Sequence, residues 1–117
     1  MLTMPRWEGE VRVMKNVFPE FEPFTVSGEW AGFHGWFLGK RTGTLYQVTI
    51  RAKISDYPNK EPAVYMEPRP EPHHWIGFDA RLCVSRRNGH VWRPAEDTFA
   101  QCLAVAARYV EEFDGRG

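Results

Sequence analysis

The clearest pattern in the chain runs from Thr44 to Ile54. There Tyr46, Val48, Ile50, Ala52 and Ile54 alternate with Gln47, Thr49, Arg51 and Lys53. A period of two puts one set on each face of a β-strand, so this segment is predicted as a strand with one buried and one wet face. Two strand-like segments precede it. Phe24–Trp30 is expected to end in a turn around Ala31-Gly32, and Phe33–Gly39 in the polar hairpin loop Lys40–Gly43. After the loop Ser55–Pro62, Ala63–Glu67 reads as a shorter fourth strand.

Helical spacing brackets these strands. Trp7, Val11, Met14 and Val17 or Phe18 recur every three or four positions, with Pro5 suited to the start of a helix and Gly9 weakening it. Phe18–Phe24 then breaks the pattern with two prolines. Near the other end, Pro94–Phe113 reads as a strong helix. Its apolar stripe is Phe99, Cys102, Leu103, Ala106, Tyr109 or Val110, and Phe113. Pro94, Glu96 and Asp97 suit its first turn, Thr98 with Gln101 forms a capping-box pair, and Gly115 closes it. The expectation is a single α+β domain over residues 1–117: a helix, a four-stranded antiparallel meander, a long loop and a helix.

That long loop, Pro68 to Pro94, has no convincing periodicity. Connections of this length inside a small domain are more often functional than not.

Composition narrows the picture. At 117 residues, 43% hydrophobic and 15% aromatic, the chain has the make-up of one folded domain with a real core. Lysines and arginines number 15 and acids 15, giving a net charge of zero. This argues against nucleic acid and anionic membranes as partners, since both rely on excess positive charge. No apolar run is long enough to span a bilayer and the opening MLTMPRWEGE lacks a signal-peptide core, so a cytoplasmic protein is expected.

The two cysteines, Cys83 and Cys102, are too few for a disulfide framework, and a bridge between them rests on count alone. Cys102 falls on the helical stripe, where a free cysteine behaves as a small hydrophobe. Cys83 lies in the long loop, between Leu82 and Val84. One reading is a buried residue in a short strand. The other is a nucleophile whose thiolate is favoured by Arg81, Arg86 and Arg87, although such arginines equally form solvated patches. His73, His74 and His90 raise two more ideas. With Cys83 they could ligate zinc, but no pair has the close spacing of finger-type sites, so no metal is expected. One of them could serve as base to Cys83 in a hydrolase, yet no third residue or oxyanion loop is evident. His34, inside a predicted strand, reads as ordinary.

The order of elements and the loop residues together resemble the ubiquitin-conjugating enzyme family. Tyr57-Pro58 in DYPNKEPAVYM, with Pro62, matches the family's Tyr-Pro after the third strand and the proline opening the fourth. His73 falls where the histidine of the His-Pro-Asn motif stands before the active cysteine. Leu82-Cys83-Val84 matches the hydrophobic-Cys-hydrophobic triplet. Trp92-Arg93-Pro94 matches the Trp-x-Pro ahead of the crossover helix, and GTLYQVTIRAKI is similar to the Gly-Thr-x-Tyr hairpin. Departures are specific too. His73-His74-Trp75 lacks the asparagine whose amide supports the oxyanion or the loop, and the interval from cysteine to tryptophan is one residue longer. The chain stops after the crossover helix, so the C-terminal helices of the family are expected to be absent.

The resemblance implies a thioester carrier on Cys83, with His73 organising the loop and Asn88 as candidate oxyanion support. No cofactor or metal is implied. The implied partners are an activating enzyme, a cargo and a target protein bearing an amine. The short form and incomplete motif look like bacterial members found beside antiphage defence genes. There the cargo is a ubiquitin-like protein or a cGAS-like nucleotidyltransferase. Thiolate suits both steps, being a good nucleophile and a good leaving group. A carrier also gains from lacking a general base that would activate water. The alternative is a catalytically inactive domain of the same fold, used for binding.

Overall fold

The computed structural model describes residues 1–68 and 92–115. Helix α1 spans Met4–Val17. Thr3 caps it through its side-chain oxygen, which accepts from the Arg6 N–H, and Pro5 sits in the first turn where its missing N–H is harmless. Met14 is buried and Trp7, Val11 and Phe18 pack against the core, as the spacing predicts; Val17 is exposed and Phe18 takes the inward role.

Four strands follow as an antiparallel meander in sequential order: β1 (Glu22–Val26), β2 (Trp30–Gly39), β3 (Thr44–Lys53) and β4 (Ala63–Glu67). The alternation in β3 holds: Tyr46, Val48, Ile50 and Ala52 are buried, and Gln47 and Lys53 are exposed. The register pairs Ile50 with Phe33 and Val64, and Val48 with Gly35 and Met66, so these residues share the buried face.

The β1–β2 turn lies elsewhere than expected. Ser27 and Gly28, with φ of 55° and 64°, are both left-handed and close a tight turn in which the Glu29 N–H reaches the Val26 carbonyl at 3.0 Å. Positive φ at both central positions matches the twist of a hairpin. Ala31-Gly32 instead lies within β2. Gly32 is needed there for close approach, because a Cβ would come within 2.1 Å of the Ile50 carbonyl oxygen.

Helix α2 spans Phe99–Phe113. The capping box is present: Gln101 N–H donates to the Thr98 hydroxyl and the Thr98 N–H to the Gln101 side chain. The helix starts at Phe99 rather than Pro94. Residues 94–97 form a turn, held by the Arg93 N–H donating to Asp97 at 2.7 Å, which keeps Asp97 out of the first helical turn. Every residue of the predicted stripe is buried, including both Tyr109 and Val110. The expected absence of C-terminal helices is not borne out, since α2 is a C-terminal helix. The apolar sheet face needs such a cover, and α2 supplies it by packing on β2, β4 and α1. Both helices lie on that one face of the sheet, leaving the other uncovered among the described residues.

Candidate functional site

The predicted site residues Cys83, His73 and Asn88 lie outside the described residues, as do His74, Trp75 and His90. The described residues do include the two motif segments that flank this stretch, Tyr57-Pro58 and Trp92-Arg93-Pro94. The structure brings these together. The Trp92 indole N–H donates to the Pro58 carbonyl at 2.7 Å, and the Tyr57 and Trp92 rings lie 5.9 Å apart. Tyr57 is fully buried, with its ring 4.7 Å from that of Phe99 at the start of α2.

Beneath this contact lies a polar group that the sequence reading did not single out. Glu10 of α1 is only 2% exposed. Its carboxylate accepts from the Tyr57 hydroxyl, from Arg6 Nε at 3.0 Å and from the Phe99 N–H at 3.0 Å. Arg6 continues outward, donating to the Pro94 carbonyl at 2.9 Å and the Asp97 carbonyl at 2.7 Å. A buried carboxylate is tolerable only when paired and hydrogen-bonded, and here three donors meet it. Burial first, then the hydrogen bond to Glu10, pushes the Tyr57 phenol up, so it stays a protonated donor. Burial works against the Arg6 charge, but the hydrogen bonds to Glu10 and Tyr57 outweigh it and raise its pKa. The sequence does carry a signal for Glu10: it sits between Trp7 and Met14 on the inward stripe of α1, where a charge needs a partner.

Glu10 is the enclosed end of this cluster and Arg6, with a quarter of its side chain exposed, is its outward edge. Cys102 is a free thiol, 6% exposed, and burial first, with nearby Glu61, Asp97 and Glu10, pushes its pKa up. Burial therefore favours the neutral thiol over the nucleophilic thiolate at this position.

Comparison with family models, curated proteins and solved structures finds no match for this chain. Among the described residues no group of three or more histidines, cysteines and acids is placed to hold a metal, and no helix is long and apolar enough to cross a membrane.

A second carboxylate closes the far end of α2. Asp114, 1% exposed, accepts from the Thr42 hydroxyl at 2.6 Å, the Tyr46 hydroxyl at 2.6 Å, and the backbone N–H groups of Arg41 and Thr42 at 3.0 and 3.2 Å. The Thr42 and Tyr46 hydroxyls, with those N–H groups, hold its carboxyl below the usual range against the opposing effect of burial.

Proposed function

We propose that this chain is a carrier of ubiquitin-conjugating type, working through Cys83. The observation that carries the reading is the hydrogen bond from Trp92 to the Pro58 carbonyl. It joins two motif segments far apart in sequence that were matched to that family independently of each other. The order of helix, antiparallel meander and C-terminal helix supports it further, and so does the unsuitability of Cys102, which leaves Cys83 as the candidate thiol.

In the proposed reaction the Cys83 thiolate attacks the activated C-terminal carbonyl of the cargo on the activating enzyme. A thioester C–S bond forms and the donor's leaving group departs. An amine of the target then attacks the same carbonyl. The C–N bond forms, the amine's proton passes to solvent, and Cys83 leaves as thiolate. His73 organises the loop, and Asn88 supports the oxyanion in place of the motif asparagine. The cargo is a ubiquitin-like protein or a cGAS-like nucleotidyltransferase, in bacterial antiviral defence. A second reading, an inactive domain of the same fold used for binding, is favoured by Trp75 standing where the motif has asparagine.

The test is a tagged Cys83→Ser variant expressed in its native host and examined by intact mass. Serine would trap the acyl group as a more durable ester. A protein-sized adduct that maps to position 83, and that is missing from Cys83→Ala, is expected. No adduct on serine, together with a wild-type Cys83 no more reactive than a buried cysteine, would establish the binding-domain reading instead.

A further inference from the structure

The second half of β2 carries a feature independent of Cys83. β1 covers only Trp30–His34 of β2, so among the described residues Gly35–Gly39 pair with β3 alone and leave their other edge open. Alternate residues of an antiparallel strand turn their N–H and C=O groups to each side, so this edge carries ladder groups with no strand to take them. Its sequence, Gly-Trp-Phe-Leu-Gly, has neither the charge nor the proline that usually keeps an edge from pairing.

The side chains along it reach solvent. Trp36 is 53% exposed and Leu38 55%, and Leu45, which pairs with Leu38 across the ladder, is 57% exposed. On the helix side, two open depressions of about 430 and 320 Å³ share Phe37 of β2 and Ala107 of α2, so the space beside the edge is open. The two ends of the free stretch carry opposite charge. Lys40 and Arg41 follow Gly39, whereas Glu22 stands opposite His34 with Glu20 just before it, and all four are exposed.

We propose that β2 pairs through this edge with β2 of a second copy of the chain, antiparallel, about a two-fold axis at Leu38. Such a contact uses the same patch on both copies, so the patch must complement itself. This one does. The axis sets Leu38 against Leu38 of the second copy, with Leu45 beside each, and Trp36 beside the second copy's Lys40. Glu22 of that copy then follows two positions along the same line and on the same face as Lys40, roughly 7 Å away and within reach of two long side chains. An extended segment of another protein would fill the same ladder, but a second copy brings the apolar centre and the reversed order of charges by symmetry alone. Two short edge segments bury less than the roughly 1,200 Å² of stable complexes, so the dimer is weak and reversible.

The test is sedimentation equilibrium of the full chain from about 10 μM to about 1 mM, in reductant so that no disulfide links the copies. A concentration-dependent dimer that weakens with salt is expected. Leu38→Lys places like charges at the axis from an exposed position and should weaken the dimer on the order of tenfold or more. Lys40→Glu and Glu22→Lys should each weaken it. An equimolar mixture of those two should dimerise as wild type does, because each variant meets its opposite charge in the other. Cys83→Ala should dimerise unchanged, which separates this surface from the carrier reaction. A wild type that stays monomeric throughout while folded by circular dichroism overturns the proposal. So does a dimer that ignores Leu38→Lys, or a mixture no tighter than its two components. Saturable, Leu38-dependent binding of a labelled peptide of alternating valine and threonine by a monomeric wild type would assign the edge to a strand of another protein and overturn the second-copy assignment.

Discussion

The Tyr57 hydroxyl donates to the buried carboxylate of Glu10, and that carboxylate also receives the N–H of Phe99. One side chain on α1 thus holds both the turn after β3 and the first residue of α2. Removing it leaves three donors facing a void. Glu10→Ala is expected to destabilise by roughly 3 kcal/mol, the scale for breaking a buried charged pair. Tyr57→Phe should cost about 1 kcal/mol, because Glu10 keeps its other donors. Urea unfolding of both variants measures this, and a smaller effect for Glu10→Ala than for Tyr57→Phe would contradict the assigned hierarchy.

Trp92→Phe keeps most of the ring and deletes the N–H that reaches the Pro58 carbonyl. The expected loss is about 1 kcal/mol, seen as a lower midpoint in the same unfolding experiment. An unchanged midpoint would mean that water replaces the indole without penalty.

Asp114 makes stability depend on acid. Its carboxyl is held below the ordinary value in the folded protein. The contribution is therefore complete above the unfolded carboxylate pKa of about 3.9 and is lost as pH falls through the lower folded value. In Asp114→Asn the amide oxygen can keep the backbone N–H groups of Arg41 and Thr42, but the amide NH2 then faces the hydroxyls of Thr42 and Tyr46, which must turn to accept, and the charge that strengthened all four bonds is gone. The variant should be less stable than wild type at neutral pH, and the gap should narrow in acid. Thermal melts across that range test this; a gap that widens in acid would reverse the sign.

Two glycine-to-alanine changes should move stability in opposite directions. At Gly9, on α1, an added Cβ meets nothing within 4 Å, and alanine should stabilise by about 1 kcal/mol through helix propensity. At Gly32 the Cβ would strike the Ile50 carbonyl, and alanine should cost at least about 2 kcal/mol. Equal melting temperatures for the two variants would refute the strand placement of Gly32.

Cys102 should resist alkylation in the native state. In a Cys83→Ser background, iodoacetamide is expected to label the remaining thiol at an appreciable rate only after denaturant is added, because burial keeps it neutral and covered. Rapid labelling of the folded protein would place that helix face in solvent.

The parts of this fold legible in the sequence were those written in periodicity. The alternation of Tyr46 to Ala52 fixed the faces of β3, and the stripe from Phe99 to Phe113 fixed α2, because burial imposes those periods directly. Turn chemistry misled at Ala31-Gly32, where glycine answers a close strand approach that depends on β3. The start of α2 was misplaced because Asp97 serves a turn through Arg93 instead of the helix terminus. Asp114 was invisible as an anchor, since its donors come from the β2–β3 hairpin and β3, and Glu10 showed only as a charge on the inward stripe of α1, its Tyr57 and Phe99 donors being distant in sequence. Of the candidate site, Cys83, His73 and Asn88 lie outside the described residues, and the contact between the Tyr57 and Trp92 segments was not legible because it joins positions 34 residues apart.

Helix α2 is tied at both ends by acids: Glu10 takes the N–H of its first residue, and Asp114, just past its last, clasps the β2–β3 hairpin. A negative charge is welcome at the first end and opposed by the backbone dipole at the second, where four donors override it. A rod pinned in this way has little freedom to slide or to fray from either tip. Its amide protons should therefore exchange together, through one opening that releases α1 and the hairpin as well, making α2 the cooperative spine of the domain.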